Sequence, residues 1–135
     1  MRKTWNLSDN LLESTIQDIL RSQAQSRIYI FLLRKRKART EDIIHGTRLH
    51  PSTVRESLSR MYDNKLVFRE KLKNNNIGKN PYLYFPLPAI QLLKRYAKQI
   101  EDRLNHIALL GTERRTKDTS FQHVKISIND GEGYQ

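Results

Sequence analysis

The chain has 135 residues, of which 37% are hydrophobic and 29% charged, so it can form one compact domain with an appended element but not two ordinary domains. It contains no cysteine, and its longest apolar run, residues 28–33, is far too short to span a membrane; we therefore expect a cytoplasmic protein without disulfides or cysteine-ligated zinc. The net charge of +11 lies entirely in residues 1–111, which favours a polyanionic partner.

Two helices are predicted in the first 40 residues. Ser8 is a good N-cap, and the apolar residues after it recur at helical spacing, which predicts a helix over 9–22. Ser26 is expected to open a second helix with one apolar face. This helix ends in the basic run 34–37, where cations are favoured by the helix dipole.

A short helix, a tight turn and a longer helix follow. Thr40 is predicted to cap the short helix, whose first turn is acidic and therefore matches the helix dipole. Residues 46–50 form the turn, and Pro51 lies where a first helical residue is favoured. The longer helix runs to about Asn64, and its predicted buried stripe consists of Val54, Leu58 and Met61.

After residue 64 the hydrophobic period changes from helical to alternating. Residues 66–72 and 82–85 alternate, and the polar turn formers between them predict a β-hairpin. A long helix is expected from about 88 to 110, stopped by Gly111. The remaining residues are polar, and only 123–128 have a strand-like alternation.

Two helices of unequal length, a tight turn and a basic hairpin make a winged helix-turn-helix arrangement. The segment 43–54, with its Leu-x-Pro-Ser-Thr-Val stretch, resembles the helix-turn-helix core of MarR-like and archaeal TrmB-like regulators, and residues 65–67 and 78–84 are similar to a TrmB-like wing. The resemblance covers about 26–110 and implies a DNA-binding transcriptional regulator. Such families usually carry Gly where Arg48 stands, because that position often needs a positive φ.

The predicted fold is therefore mainly α with a small β-hairpin. We divide it into an N-terminal helix (1–25), a winged helix-turn-helix DNA-binding domain (26–87), a coiled-coil-like dimerisation helix (88–111) and a polar, flexible tail (112–135).

The longer helix carries the candidate base-reading residues. An α-helix fits the major groove of duplex DNA, where each base pair presents a distinct pattern of donors and acceptors. If the stripe of Val54, Leu58 and Met61 faces the core, the opposite side presents polar side chains to DNA. These candidates are Ser52, Thr53, Arg55, Glu56, Ser59 and Arg60.

Cations elsewhere in the domain are candidate phosphate ligands. The wing residues predicted to contact the DNA backbone or the minor groove are Arg69, Lys71, Lys73 and Lys79. Further candidate phosphate contacts near the turn are Arg39, Thr40 and Arg48. The basic run 34–37 is explained equally well by the dipole of its own helix.

The long C-terminal helix has an a/d heptad seam, in which apolar residues step alternately by three and four positions. Such a seam predicts pairing with a second copy, although packing on its own domain remains an alternative. A two-fold dimer would set two base-reading helices about 34 Å apart, on a palindromic site. The predicted dimer interface is Ile90, Leu93, Ala97, Ile100, Leu104 and Ile107.

Catalytic motifs are not found in the sequence. The four histidines have no carboxylate partner at metal-ligand spacing, and there is no Gly-rich phosphate loop or nucleophile elbow. We therefore expect a nucleoid-associated, homodimeric DNA-binding protein that is not an enzyme and has no cofactor or metal; the sequence indicates no effector. Two alternatives stay open: a chromatin- or replication-associated winged helix without sequence preference, and a winged helix used for protein–protein assembly.

Overall fold

The computed structural model describes residues 7–73, 82–112 and 123–129. This part of the chain divides after Ala89 into two compact units. Its helices and strands are, in chain order, α1 (Leu7–Leu20), α2 (Gln23–Lys35), β1 (Ala38–Arg39), α3 (Thr40–Thr47), α4 (Pro51–Asp63), β2 (Val67–Lys71), β3 (Tyr82–Pro86) and α5 (Ala89–Thr112). The predicted mainly helical fold with a small hairpin is confirmed.

Helix α2 is the centre of the first unit and packs against α1, α3, α4 and β3. Tyr29 of this helix is fully buried, and its hydroxyl donates a hydrogen bond of 2.6 Å to the carbonyl of Leu87. That bond satisfies the one polar atom of a large side chain within the core. The other fully buried side chains around it are Ser26, Ile28, Leu32, Ile43, Val54, Leu58, Met61 and Val67.

The hairpin strands β2 and β3 pair antiparallel, as predicted, and β1 adds to the free edge of β3 to give the order β1-β3-β2. Strand β1 was not expected, because two residues are too few to show an alternating pattern. In the register of β2 and β3, Arg69 lies opposite Tyr84 and Lys71 opposite Tyr82. These four side chains therefore share one face of the sheet.

The turn between α3 and α4 is closed by backbone geometry at Arg48. This residue adopts φ 62° and ψ 23°, the left-handed conformation expected at a position where related families carry Gly, and its N–H bonds the carbonyl of Ile44 at 3.0 Å. His50 then caps α4, because its Nδ1 accepts a hydrogen bond from the Ser52 N–H at 3.2 Å. Pro51 is the first helical residue, as predicted.

Several predicted helix ends are wrong. Helix α1 runs from Leu7 to Leu20, so Ser8 lies inside the helix instead of capping it, and the helix ends two residues earlier than predicted. The cap of α2 is Ser22, whose hydroxyl oxygen accepts from the Gln25 N–H at 3.1 Å; Ser26 lies inside the helix. Helix α3 is preceded by Arg39 in the capping position, so Thr40 is its first residue. Helix α5 continues through Gly111 to Thr112, since a single glycine near a helix end weakens the helix without stopping it.

In the second unit, Asn105 of α5 holds the segment 123–129. Its side chain accepts from the Val124 N–H at 2.6 Å and donates to the Val124 carbonyl at 3.0 Å, so one amide group pairs with both backbone groups of one residue. The segment itself is neither helix nor strand, so the strand suggested by its alternation is not formed. The other residues of the predicted tail, 113–122 and 130–135, lie outside the described part.

Candidate nucleic-acid interface

Helix α4 has one buried and one exposed side. Val54, Leu58 and Met61 are buried against the core, which confirms the predicted stripe. The helix is therefore fixed in rotation, and its polar side is turned outward. Of the six predicted base-reading residues, Thr53 is half-buried and the other five are exposed, namely Ser52, Arg55, Glu56, Ser59 and Arg60.

Arg60 and Glu56 form an ion pair along the exposed side of α4. The distance from Nη2 of Arg60 to Oε2 of Glu56 is 3.2 Å, and the two side chains are 67% and 68% exposed. An exposed i,i+4 pair contributes only about 0.3–0.5 kcal/mol to stability. The pair is therefore weak, and either side chain can exchange this partner for another at little cost.

The wing presents its cations on exposed positions. Arg69, Lys71 and Lys73 are all exposed, and Lys71 shares the face of β2 on which Arg69 lies. The fourth predicted wing residue, Lys79, lies outside the described part of the chain. The three described cations follow one another along β2 and its extension, so their charge is concentrated on one side of the hairpin.

The exposed Arg69 guanidinium contacts two aromatic rings. Its central carbon lies 3.9 Å from the centre of the Tyr62 ring, on the last turn of α4, and 4.3 Å from the centre of the Tyr82 ring on β3. Slight desolvation by itself lowers the pKa of Arg69, but a hydrogen bond to Tyr84 and the nearby tyrosines outweigh it, so the pKa lies above its ordinary value.

The sequence did not identify this cluster, because its tyrosines fit the pattern of ordinary packing residues. The signal that could have revealed it is the hairpin register. Once residues 66–72 and 82–85 are paired, Arg69 faces tyrosines across the sheet.

The three predicted phosphate contacts near the turn differ in exposure. Arg39 and Arg48 are exposed, and Arg48 stands at the left-handed residue between α3 and α4. Thr40 is only 5% exposed, so its side chain is not available for a phosphate contact in this conformation. Arg39 and Arg48 flank α3 at its two ends.

The predicted dimer seam lies on α5, in the second unit. Four of its residues, Ile90, Leu93, Leu104 and Ile107, are large hydrophobic side chains with exposed fractions from 39% to 64%. Ala97 and Ile100, in the middle of the seam, are half-buried. The seam therefore leaves an apolar stripe accessible along the helix.

The described residues lack two features that are typical of other protein classes. None of the helices there combines the length and apolar character that crossing a membrane requires. Nor do residues 7–73, 82–112 and 123–129 hold a group of three or more histidines and carboxylates arranged to bind a metal ion.

Comparison with known structures supports the fold. A solved structure from Methanosarcina mazei Go1, described as a possible transcriptional regulator, superposes with a TM-score of 0.64 at 17% identity, covering 77% of this chain and 88% of that chain. More distant likenesses are a MarR-family transcriptional regulator from Silicibacter pomeroyi (TM-score 0.46, 15% identity, 76% and 77% covered) and a ZitR variant from Lactococcus lactis in complex with DNA (0.43, 15%, 79% and 84%). The expected winged-helix fold is confirmed.

Sequence comparison assigns the family. No curated protein sequence matches the chain. The family model described as TFIIE alpha subunit matches residues 10–110, which comprise the helices and strands from α1 into α5. Because this match spans well over half of the sequence, the chain belongs to the TFIIE alpha subunit family.

Proposed function

We propose that this winged-helix protein regulates transcription by binding duplex DNA as a homodimer, with α4 in the major groove and the wing along the backbone or minor groove. The observation that carries the proposal is the polar side of α4, on which five of the six candidate residues are exposed, in the same unit as a cationic hairpin. Any surface helix has a polar outer face, so the support for DNA contact comes from where this face lies, directly after the turn and next to the basic hairpin.

The side chains on α4 are of the types that read base edges. Arg55 and Arg60 can each bond guanine through two parallel N–H groups, and Glu56 can accept from the amino group of cytosine. Ser52 lies at the N-terminal end of the helix, where a hydroxyl suits a phosphate or a base. We therefore assign sequence preference to α4.

The wing and the turn supply affinity that does not depend on sequence. Lys71, Lys73 and Arg48 are exposed cations, and each neutralised phosphate releases condensed counterions from DNA. The net charge of +11 draws the molecule to DNA over a longer range. Binding is therefore expected to weaken steeply as salt rises.

The dimer follows from the apolar stripe of α5. Pairing two copies of Ile90, Leu93, Leu104 and Ile107 would remove exposed hydrophobic surface from water, which favours association. A two-fold dimer would present two α4 helices to half-sites separated by about one turn of DNA.

Two single-alanine variants, each lacking one cation, test the assignment of roles. Arg60→Ala should cost about 1–3 kcal/mol of affinity on the preferred duplex and much less on random duplex DNA. Lys73→Ala should weaken both duplexes alike and reduce the salt slope by about one. The measurement is fluorescence anisotropy of labelled duplexes over a salt series, with thermal unfolding as the folding control.

Two other results of these binding measurements would contradict the proposal. Equal losses for the two variants on both duplexes would contradict the assigned roles and favour a chromatin- or replication-type protein without sequence preference. An unmodified chain that binds no duplex in moderate salt would reject DNA binding and favour a winged helix used for protein assembly.

A further inference from the structure

We infer that Arg69 is a positioning residue that fixes the wing against the end of α4, rather than a phosphate ligand like the lysines that follow it. Only the effect of Arg69 on DNA binding rests on the proposed function. The structural part, a side-chain clamp between helix and hairpin, stands on the geometry around the guanidinium.

Arg69 links three elements through one planar group. Tyr62 belongs to α4, Tyr82 and Tyr84 belong to β3, and Arg69 itself belongs to β2. The guanidinium carbon lies about equally far from two ring centres, 3.9 Å and 4.3 Å, and Tyr84 lies opposite Arg69 in the strand pairing. An arginine that contacts two rings has fewer side-chain conformations available, so it restricts the position of β2 relative to α4 and β3.

The clamp lies where the hairpin leaves the core. Val67 is fully buried, Phe68 is half-buried, and the side chains of β2 are exposed from Arg69 onward. Just before β2 the chain is connected to α4 through the backbone, because the Leu66 N–H donates a hydrogen bond of 2.8 Å to the Met61 carbonyl. Arg69 is thus the side chain through which the exposed part of β2 still contacts α4.

Lysine is not an adequate substitute at this position. The guanidinium is flat and weakly hydrated and stacks on aromatic faces, whereas an ammonium is a compact, strongly hydrated point charge. The structure therefore requires the shape of arginine here and not only its charge. At Lys71 and Lys73 only the charge is needed.

The consequence for DNA binding is geometric. Lys71 and Lys73 follow Arg69 along β2 and the residues directly after it. The angle between the wing and α4 therefore decides whether these two lysines reach phosphates while α4 lies in the major groove. A wing fixed before binding loses less conformational freedom on the DNA. By fixing this angle, Arg69 would allow α4 to contact the bases while the wing lysines contact phosphates.

A double-mutant cycle tests the clamp without DNA. Amide hydrogen exchange of β2 and β3 is compared in the unmodified chain, Arg69→Ala, Tyr62→Leu and the combined variant. We expect each single change to accelerate exchange about twofold to fivefold, and the combined variant to exchange no faster than the faster single variant, because both changes break the contact between Arg69 and Tyr62. If the two accelerations multiply, or if neither single change affects exchange, the clamp is rejected.

DNA binding then separates positioning from phosphate contact. Arg69→Lys keeps the charge, so a phosphate ligand would retain its affinity and salt slope, whereas a positioning residue would lose affinity by about as much as Arg69→Ala. Lys73→Ala is the matched control, since it removes one wing charge outside the stack. Unchanged affinity in Arg69→Lys would overturn the inference, while failure of the unmodified chain to bind DNA would reject the proposed function and leave the exchange result valid.

Discussion

At the scale of single residues, two positions near the turn between α3 and α4 run against intrinsic preference. Gly46 lies inside a helix, where alanine is more favourable by about 1 kcal/mol, and Arg48 adopts a left-handed conformation that favours glycine. The glycine at position 46 is explained by its neighbour, because a Cβ there would overlap the ring of Phe31. The proposed phosphate contact offers a reason why an arginine stands at position 48 despite its left-handed conformation.

The tight contact at Gly46 predicts opposite effects for two glycine substitutions. Gly46→Ala should destabilise the fold by about 1–3 kcal/mol, because the ring of Phe31 must move to admit the methyl group. Gly111→Ala is the matched control, since within the described residues no atom beyond its chain neighbours and the nearby backbone of α5 lies within 4 Å of the added Cβ, and it should be neutral or stabilise α5 by up to about 1 kcal/mol. Urea unfolding compares the two; equal effects would contradict the account of the contact.

Arg48→Gly should separate stability from binding. Glycine reaches φ 62° without steric cost, so the free energy of unfolding should stay equal or rise by up to about 1 kcal/mol. The loss of one cation should nevertheless weaken DNA binding and reduce the salt slope by about one. Denaturant unfolding and a salt titration check both; a variant that is clearly less stable, or that binds DNA as before, would contradict this prediction.

The sequence was most informative at residues whose role follows from periodicity. Val54, Leu58 and Met61 repeat at helical spacing and are buried as predicted. The N-cap of α2 was predicted at Ser26 but lies at Ser22, because the two serines are equally good capping residues and only the packing of α2 distinguishes them. The stack around Arg69 was missed because it depends on which residues face each other across a sheet.

At the scale of elements, length decided what could be predicted. The helix predicted from Pro51 to about Asn64 is observed as Pro51–Asp63, since its apolar stripe repeats through several turns. Strand β1 has two residues and exists through its pairing with β3, so no local pattern could indicate it. The segment 123–129 is likewise held by a distant residue, Asn105.

The bonds between Asn105 and Val124 predict a local release. Asn105→Ala should accelerate hydrogen exchange at the Val124 amide roughly tenfold or more, because two hydrogen bonds to the segment are lost. Asn105→Asp is the matched variant; its carboxylate can still accept from the Val124 N–H but cannot donate to the carbonyl, so an intermediate effect is expected. Unchanged exchange at Val124 in the alanine variant would show that the segment is held by other contacts.

At the scale of the whole molecule, the proposed homodimer rests on α5. Ile107 lies in the heptad seam and is 64% exposed, whereas Leu109 is 58% exposed and lies outside the seam. If the proposed dimer forms, Ile107→Glu should shift it to monomer by placing a charge in the apolar interface, while Leu109→Glu should leave it dimeric. Sedimentation equilibrium distinguishes them; an unmodified chain that stays monomeric at high concentration, or equal effects of both changes, would reject the seam.

The fold alone does not decide between the functions that winged helices serve, because one fold can host several activities. Composition and charge indicated an anionic partner, and the exposed side of α4 is consistent with major-groove contact. Neither observation measures preference for one sequence over another. That preference is the central claim, since it separates a regulator from a protein that binds any duplex and from an assembly module.

The most direct measurement is selection of bound sites from a pool of random duplex DNA with the full chain. We expect one enriched palindromic motif, with half-sites about one helical turn apart, and loss of the enriched half-site bases with the Arg60→Ala variant. A recovered pool with no enriched motif, although the chain retains DNA, would contradict the account.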